Sequence, residues 1–443
     1  MARLYVTGGR RLGGRVTAPP DKSIFHRTLI LAALGDRRAR LTPLARGADN
    51  RATRSVLSAL GVQIEEEGDG LWVTGVGGPS GLRAPRGPLD CENSGTTLRM
   101  MAGVLAASRL DVTLIGDASL SQRPMGRLSP LMALGAKLSG RSVEGRLYPP
   151  LRVQGGPLKG GDFRLPIASA QVKSALLLAG LYAAGKTTVW EPARSRDHTE
   201  RLLVRLGIDL QEAADGALIL TPPTRPFGLD HYPVAPDFSS AAFLLAAAIL
   251  TGSDQVQVET GLNPTRTGLL EALIEFGAAP QVEGGGEAGG EPIGAVQVTG
   301  ALGRPAELSG ARVLRAIDEV PLLAALATQA PGLTRIRDAA ELRVKESDRL
   351  AATAALLRSF GAQVTEHPDG LDIFGPTSLQ ATTLGPQPDH RLAMTGAVLG
   401  LAAAGTTVIE GAEVIDVSYP GFAEALMGLG AEVRWEPGPG GLV

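Results

Sequence analysis

The sequence is poor in the residues that would tie it to a disulfide framework, a metal or a membrane. Of 443 residues one is cysteine, Cys91. A single thiol excludes a disulfide scaffold and a cysteine-ligated metal centre, and it fits a reducing compartment. Lysine is scarce, six of 43 basic residues, and no basic run is long. With a formal net charge of −2, the chain lacks the footprint of a nucleic-acid or anionic-membrane binder. The stretch Met1-Ala2-Arg3-Leu4-Tyr5-Val6 has no apolar signal core. The longest apolar run, Ala241 to Leu250, is too short to cross a bilayer. These absences lead us to expect a cytoplasmic protein with neither a nucleic acid nor a membrane as partner. What is present is 44% hydrophobic residues, ample for large cores, and a length that suits two ordinary domains.

One phrase recurs along the chain. A helical pattern ends in an apolar-glycine step, and a strand, a turn and a second strand follow. The copies begin Leu60-Gly61, Leu134-Gly135, Leu206-Gly207, Phe276-Gly277, Phe360-Gly361 and Leu429-Gly430, at intervals of roughly seventy residues with the fourth interval longer. The glycine is expected just past a helix, where left-handed backbone favours it. The longer interval holds Gly284-Gly285-Gly286-Glu287-Ala288-Gly289-Gly290, expected as a lengthened hairpin loop. A second helix, rich in Ala and Leu, precedes each copy. These helices begin at Asp21-Lys22-Ser23, Asn93-Ser94-Gly95-Thr96, Ser169-Ala170-Gln171, Asp237-Phe238-Ser239-Ser240, Asp318-Glu319-Val320-Pro321 and Asp389-His390-Arg391, each start carrying a capping residue. The unit is β-α-β-α-β-β, six times over. No unit of this size buries its own apolar face, so the expected fold is α/β (α+β), with three units packed into each of two similar domains. The polar helix starts are expected to face a shared cleft.

The densest chemistry lies in Glu341-Leu342-Arg343-Val344-Lys345-Glu346-Ser347-Asp348-Arg349-Leu350, six charges in ten residues before an Ala/Leu helix. The bland reading is a salt-bridged helix start. The functional one places an anion between Lys345, Arg349 and the helix N-terminus, with Glu346 as a carboxyl group tuned by those cations. Lys22, Ser23 and Arg27 combine an ammonium, a hydroxyl and a guanidinium at another helix entrance, a set suited to phosphate or carboxylate. Gly95 at a third start permits a ligand to approach the backbone closely. Asp318 reads either as an N-cap or as a carboxylate that takes a proton from a hydroxyl. Lys22, Arg27, Arg123, Lys345, Arg349 and Arg391 would together make a cationic cleft on an anionic chain, which suits two small, multiply charged anions. His, Asp and Glu do not cluster at metal-ligand spacing, so no metal is expected. Gly180-Leu181-Tyr182-Ala183-Ala184-Gly185-Lys186-Thr187 matches a phosphate-loop pattern letter for letter. A phosphate loop joins a strand to a following helix, whereas here a helix comes first and a strand follows, so a plain turn is expected.

Seven stretches, taken together, resemble the 5-enolpyruvylshikimate-3-phosphate synthase family, in family order across nearly the whole chain. They are Asp21-Lys22-Ser23 with Arg27; Asn93-Ser94-Gly95-Thr96 with Arg99; Gln122-Arg123-Pro124-Met125; Ser169-Ala170-Gln171-Val172-Lys173-Ser174-Ala175; Ser195-Arg196-Asp197-His198-Thr199-Glu200; Leu342 to Leu350; and Asp389-His390-Arg391-Leu392-Ala393-Met394. The resemblance implies an inside-out α/β barrel type of fold. One domain would span 1–21 plus 236–443 and the other 22–235, with the active site in the cleft between them. It implies transfer of the enolpyruvyl group of phosphoenolpyruvate to the 5-hydroxyl of shikimate 3-phosphate, by addition and then elimination. Shikimate 3-phosphate would meet Lys22, Ser23, Arg27, Ser169, Gln171, Ser195, Asp318 and Lys345. Phosphoenolpyruvate would meet Lys22, Gly95, Arg123, Gln171, Arg349 and Arg391. Asp318, Glu346 and Lys22 would carry the proton transfers, with no cofactor and no metal. Because the repeats close on themselves, a monomer is expected.

Many family members carry a lysine near Asp416-Val417-Ser418-Tyr419-Pro420, and here there is none. Gly95, where some glyphosate-tolerant members have alanine, implies inhibition by glyphosate. The sister transferase acting on UDP-N-acetylglucosamine carries a cysteine in a mobile loop, whereas Cys91 directly precedes Glu92-Asn93. A non-catalytic anion-binding repeat protein is the rival from another class, and it would not need Asp318 and Glu346 beside the cations.

Overall fold

A computed structural model describes residues 1–299, 301–387 and 389–438. The chain divides into two compact units. The first comprises Met1–Pro19, Pro236–Gly286 and Pro292–Val443; the second comprises Pro20–Ala235 and Glu287–Glu291. The described residues form six sheets of four strands each. In the sheet of Leu89–Asp90, Asp111–Ile115, Arg146–Gln154 and Lys137–Val143, the first pair is parallel and the next two are antiparallel. The sheet of Glu307–Leu308, Gly332–Ile336, Gly370–Gly375 and Gln363–His367 repeats the order. Central strands such as Asp111–Ile115 and Thr406–Glu410 alternate buried and less buried positions, the period of a sheet with one face on a core.

Three of the sheets are completed by distant chain, and in one of them Gly13–Thr17 pairs in parallel with Gln255–Gly261. Arg3–Thr7 lies antiparallel between Thr406–Glu410 and Glu432–Glu436, so the first strand completes the last repeat. His231–Pro233 pairs in parallel with Arg38–Thr42 and completes the first repeat of the second unit.

Each repeat contributes one helix with no exposed side. In the second unit these are Lys22–Leu34, Gly95–Ala106 and Ala170–Gly180; in the first they are Phe238–Leu250, Val320–Ala327 and His390–Ala402. Gly95–Ala106 is buried along its whole length, and helices this apolar are stabilised by packing rather than by propensity. Within each unit the three buried helices pack on one another, with sheets outside. Contact is close: a Cβ on Gly103 would lie 2.3 Å from the Ala175 carbonyl oxygen, so only glycine lets Gly95–Ala106 meet Ala170–Gly180. The second helix of each repeat ends at the recurring glycine. All six of these glycines, Gly61, Gly135, Gly207, Gly277, Gly361 and Gly430, have positive φ, which is the geometry of a helix C′ residue.

The structure corrects the sequence reading at two points. Residues 284–288 are not loop but the end of the strand Ala279–Ala288, which pairs with Glu291–Thr299 across a turn at Gly289–Gly290. The longer interval therefore lengthens a hairpin's strands, and the tip, Glu287–Glu291, groups with the second unit. Nor does every helix start carry a working cap. The N-cap position of Val320–Ala327 is Glu319 rather than Asp318, and neither Glu319 nor Ser169 makes a side-chain capping bond.

Candidate active site

In the second unit the helix starts gather a cationic set. Asp21 caps the helix Lys22–Leu34, accepting from the Ile24 N–H at 2.8 Å. Lys22 Nζ lies 2.6 Å from Asp49 Oδ2, and Asp49 stands in the first turn of the helix Ala48–Ala59. Arg27 is buried. Its Nε donates to Thr199, Nη1 to the Ser23 carbonyl and Nη2 to Ser174, at 2.8, 2.9 and 3.0 Å. Ser94 caps Gly95–Ala106 through the Thr97 N–H. Gln171 Oε1 accepts from Arg99 Nη1 at 2.7 Å and its Nε2 donates to Thr96 at 2.9 Å. Arg123 Nη2 donates to Asn93 Oδ1 and Ser119 Oγ at 2.5 and 3.1 Å. Asn93 follows Glu92, whose φ of 50° puts a non-glycine residue in the left-handed region at the mouth of this helix. A Cβ on Gly95 would lie 2.6 Å from Arg99 Nη1 and 3.4 Å from Arg123 Nη1, so both guanidinium groups converge on a helix start without a side chain. Lys22, Gly95, Arg123 and Gln171 thus share one neighbourhood, linked by Asp49, Thr97 and Arg99. Ser195 stands in a different network, bonded to Glu191.

In the first unit the charged run splits by role. Arg343 and Asp348 are the bland part: they pair at 2.7 Å near the surface, and Asp348 caps Arg349–Ser359 through the Ala351 N–H. Arg349 turns inward, with 1% of its side chain exposed. It meets Asp389 through Nε at 2.6 Å, Asp318 through Nη1 at 3.1 Å and Glu346 through Nη2 at 2.6 Å. Burial alone would lower the pKa of this guanidinium, but the three carboxylates outweigh burial and raise it, so Arg349 stays charged. Asp389 is buried too, and Arg349 overrides that burial to hold its carboxyl below the usual range. Asp318 meets two further cations: Lys345 Nζ at 3.9 Å and Arg391 Nη2 at 3.6 Å. Burial and Arg349 push the Lys345 ammonium down, with Asp318 opposing. The structure therefore brings Asp318, Lys345, Glu346, Arg349 and Arg391 together in the first unit, and Lys22, Ser23, Arg27, Gly95, Arg123, Ser169, Gln171 and Ser195 belong to the second.

Several pairings were not read from the sequence: Asp49 with Lys22, Arg99 with Gln171, Asp389 with Arg349, and Lys173 and Glu191 beside Ser195. One signal was available. Lys22 and Arg349 are the first residues of their helices and Arg391 is the second of its own. A cation there opposes the helix dipole, so it needs carboxylates or an anionic ligand beside it.

Cys91 is buried, and burial pushes its thiol far above the usual range, so it is no reactive thiolate. Lys186 lies in the strand Ala184–Trp190 after the helix Ala170–Gly180, which is not the context of a phosphate loop. Among the described residues no group of three His, Cys, Asp or Glu is placed to hold a metal ion, and no helix is long and apolar enough to cross a membrane. The segment after Thr406–Glu410, where many family members carry a lysine, is a short helical turn, Ala412–Val417, followed by buried Tyr419.

The fold is shared with enolpyruvyl transferases: the structure of the enolpyruvyl transferase NikO from Streptomyces tendae superposes with a TM-score of 0.78, at 20% identity, covering 99% of both chains. The structure of EPSP synthase from Acinetobacter baumannii matches with a TM-score of 0.84 at 36% identity, covering 99% of this chain and 100% of that one. The family model for EPSP synthase (3-phosphoshikimate 1-carboxyvinyltransferase) matches residues 6–426. A 3-phosphoshikimate 1-carboxyvinyltransferase of Desulforudis audaxviator is 45% identical over 97% of this chain and 100% of its own. One from a Synechococcus strain is 46% identical over 96% of each chain. The chain belongs to the EPSP synthase family.

Proposed function

We infer that this chain is a transferase that moves the enolpyruvyl group of phosphoenolpyruvate to the 5-hydroxyl of shikimate 3-phosphate, releasing phosphate, in the shikimate pathway to the aromatic amino acids. Family membership over nearly the whole chain carries the reaction. The observation that best supports a role for particular residues is Asp318, a carboxylate with Arg349, Arg391 and Lys345 within 3.9 Å. That cluster offers a proton acceptor beside binding positions for anions.

The proposed chemistry runs in two steps. In the addition, Asp318 takes the proton of the 5-hydroxyl as its oxygen bonds to C2 of phosphoenolpyruvate, and a proton is delivered to the methylene carbon. In the elimination, that methyl carbon loses a proton, the double bond re-forms, and the C–O bond to phosphate breaks. Lys22 and Glu346 handle the second proton and the leaving group. Lys22, Arg123, Arg349 and Arg391, with Gly95 and Gln171, bind phosphoenolpyruvate and stabilise charge moving onto phosphate. Lys22, Ser23, Arg27, Ser169, Gln171, Ser195, Asp318 and Lys345 hold shikimate 3-phosphate. Arg27, with Ser174, Thr199 and the Ser23 carbonyl already on its guanidinium, also braces the helix starts. No cofactor enters this scheme. The N-terminal strand Arg3–Thr7 completes the last repeat, which supports a monomer, and the lone buried thiol suits the cytoplasm.

The test is phosphate release from purified protein supplied with phosphoenolpyruvate, with and without shikimate 3-phosphate. Release only with both, lost in Asp318→Ala and Lys22→Ala and retained in Lys186→Ala, is expected. No release with shikimate 3-phosphate would overturn the reading, and UDP-N-acetylglucosamine is the acceptor to try next.

A further inference from the structure

Ser195 lies between the strand Ala184–Trp190 and the helix His198–Arg205. Its hydroxyl donates to Glu191 Oε1 at 2.5 Å and its N–H to Glu191 Oε2 at 3.3 Å. One carboxylate thus occupies both hydrogen-bond donors of this residue. Glu191 Oε2 also accepts from Lys173 Nζ at 2.6 Å, and the same ammonium meets Glu200 at 2.6 Å and the Ser195 carbonyl at 3.5 Å. Lys173 is 1% exposed. A buried ammonium persists only with close counter-charges. Burial pulls the Lys173 pKa down, but Glu200 and Glu191 outweigh it and keep the ammonium charged. Lys173 stands in the helix Ala170–Gly180, whose start carries Ser169 and Gln171. It therefore ties the Ser195 loop to the helix that bears two further proposed ligands of shikimate 3-phosphate.

A phosphate monoester is largely dianionic at neutral pH and presents acceptors. To bind it, Ser195 must redirect donors that Glu191 now holds. Glu191 would then face a dianion with its two hydrogen bonds from Ser195 gone, a costly arrangement unless a counter-charge stays with it. Lys173 is that counter-charge. We propose that Glu191 and Lys173 are positioning residues for the phosphate of shikimate 3-phosphate: Glu191 keeps the Ser195 donors in place until phosphate takes them, and Lys173 neutralises Glu191 through the exchange. The inference rests on the reading above that Ser195 contacts shikimate 3-phosphate.

Steady-state kinetics test it in variants whose folding is checked by thermal unfolding. Ser195→Ala probes the underlying reading and should raise KM for shikimate 3-phosphate while leaving KM for phosphoenolpyruvate near wild type; no change would remove Ser195 from the substrate site and this inference with it. Where Ser195→Ala behaves as expected, Lys173→Met should raise KM for shikimate 3-phosphate about tenfold, equivalent to about 1.4 kcal/mol, with kcat and KM for phosphoenolpyruvate within about twofold. Lys173→Met combined with Glu191→Gln should return KM for shikimate 3-phosphate to within about threefold of wild type, because no uncompensated charge remains against the Ser195 donors, while the loss of Lys173 from Glu200 is read in the thermal unfolding. Glu191→Gln alone should lower it about threefold, since a neutral amide competes less for the Ser195 donors. This last variant decides the matter if Lys173→Met does not fold. A double variant no better than Lys173→Met, or a Glu191→Gln enzyme with KM for shikimate 3-phosphate unchanged or raised, overturns the proposal while leaving the transferase reading intact.

Discussion

The two units hold their site guanidinium groups differently, although the lysines Lys22 and Lys173 of the second unit sit on carboxylates as Arg349 of the first does. In the second unit Arg27, Arg99 and Arg123 lean on neutral oxygens of Thr199, Ser174, Gln171, Asn93 and Ser119. In the first unit Arg349 leans on three carboxylates, and Asp318 shares itself among three cations. A guanidinium on neutral partners keeps its charge for an arriving anion. A guanidinium ringed by carboxylates is already neutralised, so an anion must compete for it, and the carboxylates are left beside the ligand to move protons. On the proposed reading the contrast is a division of emphasis: the guanidinium groups of the second unit bind charge, with Lys22 sharing in proton transfer, and the first unit sets carboxylates beside its cations to exchange protons.

The largest test of that division is Asp318→Asn. It preserves shape and removes the proposed base, so kcat should fall by about 10² to 10⁴ with KM values changing little. A drop in affinity at unchanged kcat would make Asp318 a binding residue and erase the difference between the units. The same chemical change made in both units comes next. Arg349→Met removes the buried guanidinium that three carboxylates share and should lower unfolding free energy by about 3–5 kcal/mol in urea titrations. Arg123→Met takes a donor from the neutral oxygens of Asn93 and Ser119 and should cost about 1–3 kcal/mol, while raising KM for phosphoenolpyruvate about ten- to a hundredfold. Equal losses of stability would show that the two environments do not differ as described.

Much of the architecture was legible because it repeats. Six glycines after an apolar residue mark six helix ends, and each has the positive φ that singles out glycine there. The Ala/Leu segments read as buried helices for the same reason, an apolar run between a cap and a turn. The Gly284–Gly286 stretch misled because glycine is compatible with both loop and strand, and pairing with Glu291–Thr299 decides between them. In the candidate site the cations were visible at helix starts, but their partners were not. Asp49 lies 27 residues from Lys22, Asp389 lies 40 from Arg349, and Gln171 lies 72 from Arg99. Lys22 and Asp49 stand on the two helices of one repeat and the other two pairs on different repeats, and in each case only tertiary packing brings the partners together. Asp389 shows the ambiguity directly: it caps its own helix through the Arg391 N–H while holding Arg349.

Gly95→Ala sharpens the picture of the second unit as a site shaped for anions. The added Cβ would meet Arg99 Nη1 at 2.6 Å and Arg123 Nη1 at 3.4 Å. Both are ends of flexible side chains, so the enzyme should fold and turn over. We expect wild-type inhibition by glyphosate and, in Gly95→Ala, a half-inhibitory concentration raised by about tenfold or more, since the longer ligand is crowded more than phosphoenolpyruvate. An unchanged value would place the inhibitor away from this helix start.

The smallest effect separates the units by their response to acid. His26, the neighbour of Arg27, is completely buried, its Nδ1 2.7 Å from Thr53, which bonds in turn to Thr97 and so to Ser94. Burial pushes its pKa from 6.5 down to about 3, with Lys22 and Arg27 adding to the depression and Asp49 opposing. The unfolded chain therefore binds a proton near pH 6.5 that the folded chain refuses until about pH 3. Stability from this histidine is complete above pH 6.5 and drains away as pH falls toward 3. In the first unit the depressed group is a carboxylate, Asp389, whose contribution is present above its unfolded value near 3.8 and is lost only below it. Between pH 7 and pH 4 the two units should thus differ, the second weakening while this pair in the first holds. His26→Asn keeps a polar partner for Thr53 without the titration, so its stability loss between pH 7 and pH 4 should be smaller than wild type by on the order of 2–3 kcal/mol. Urea titrations at both pH values measure it. Equal losses in wild type and variant would mean that the second unit's buried hydroxyl chain has no part in the acid response, and that the carboxylate ring of the first unit is the place to look instead.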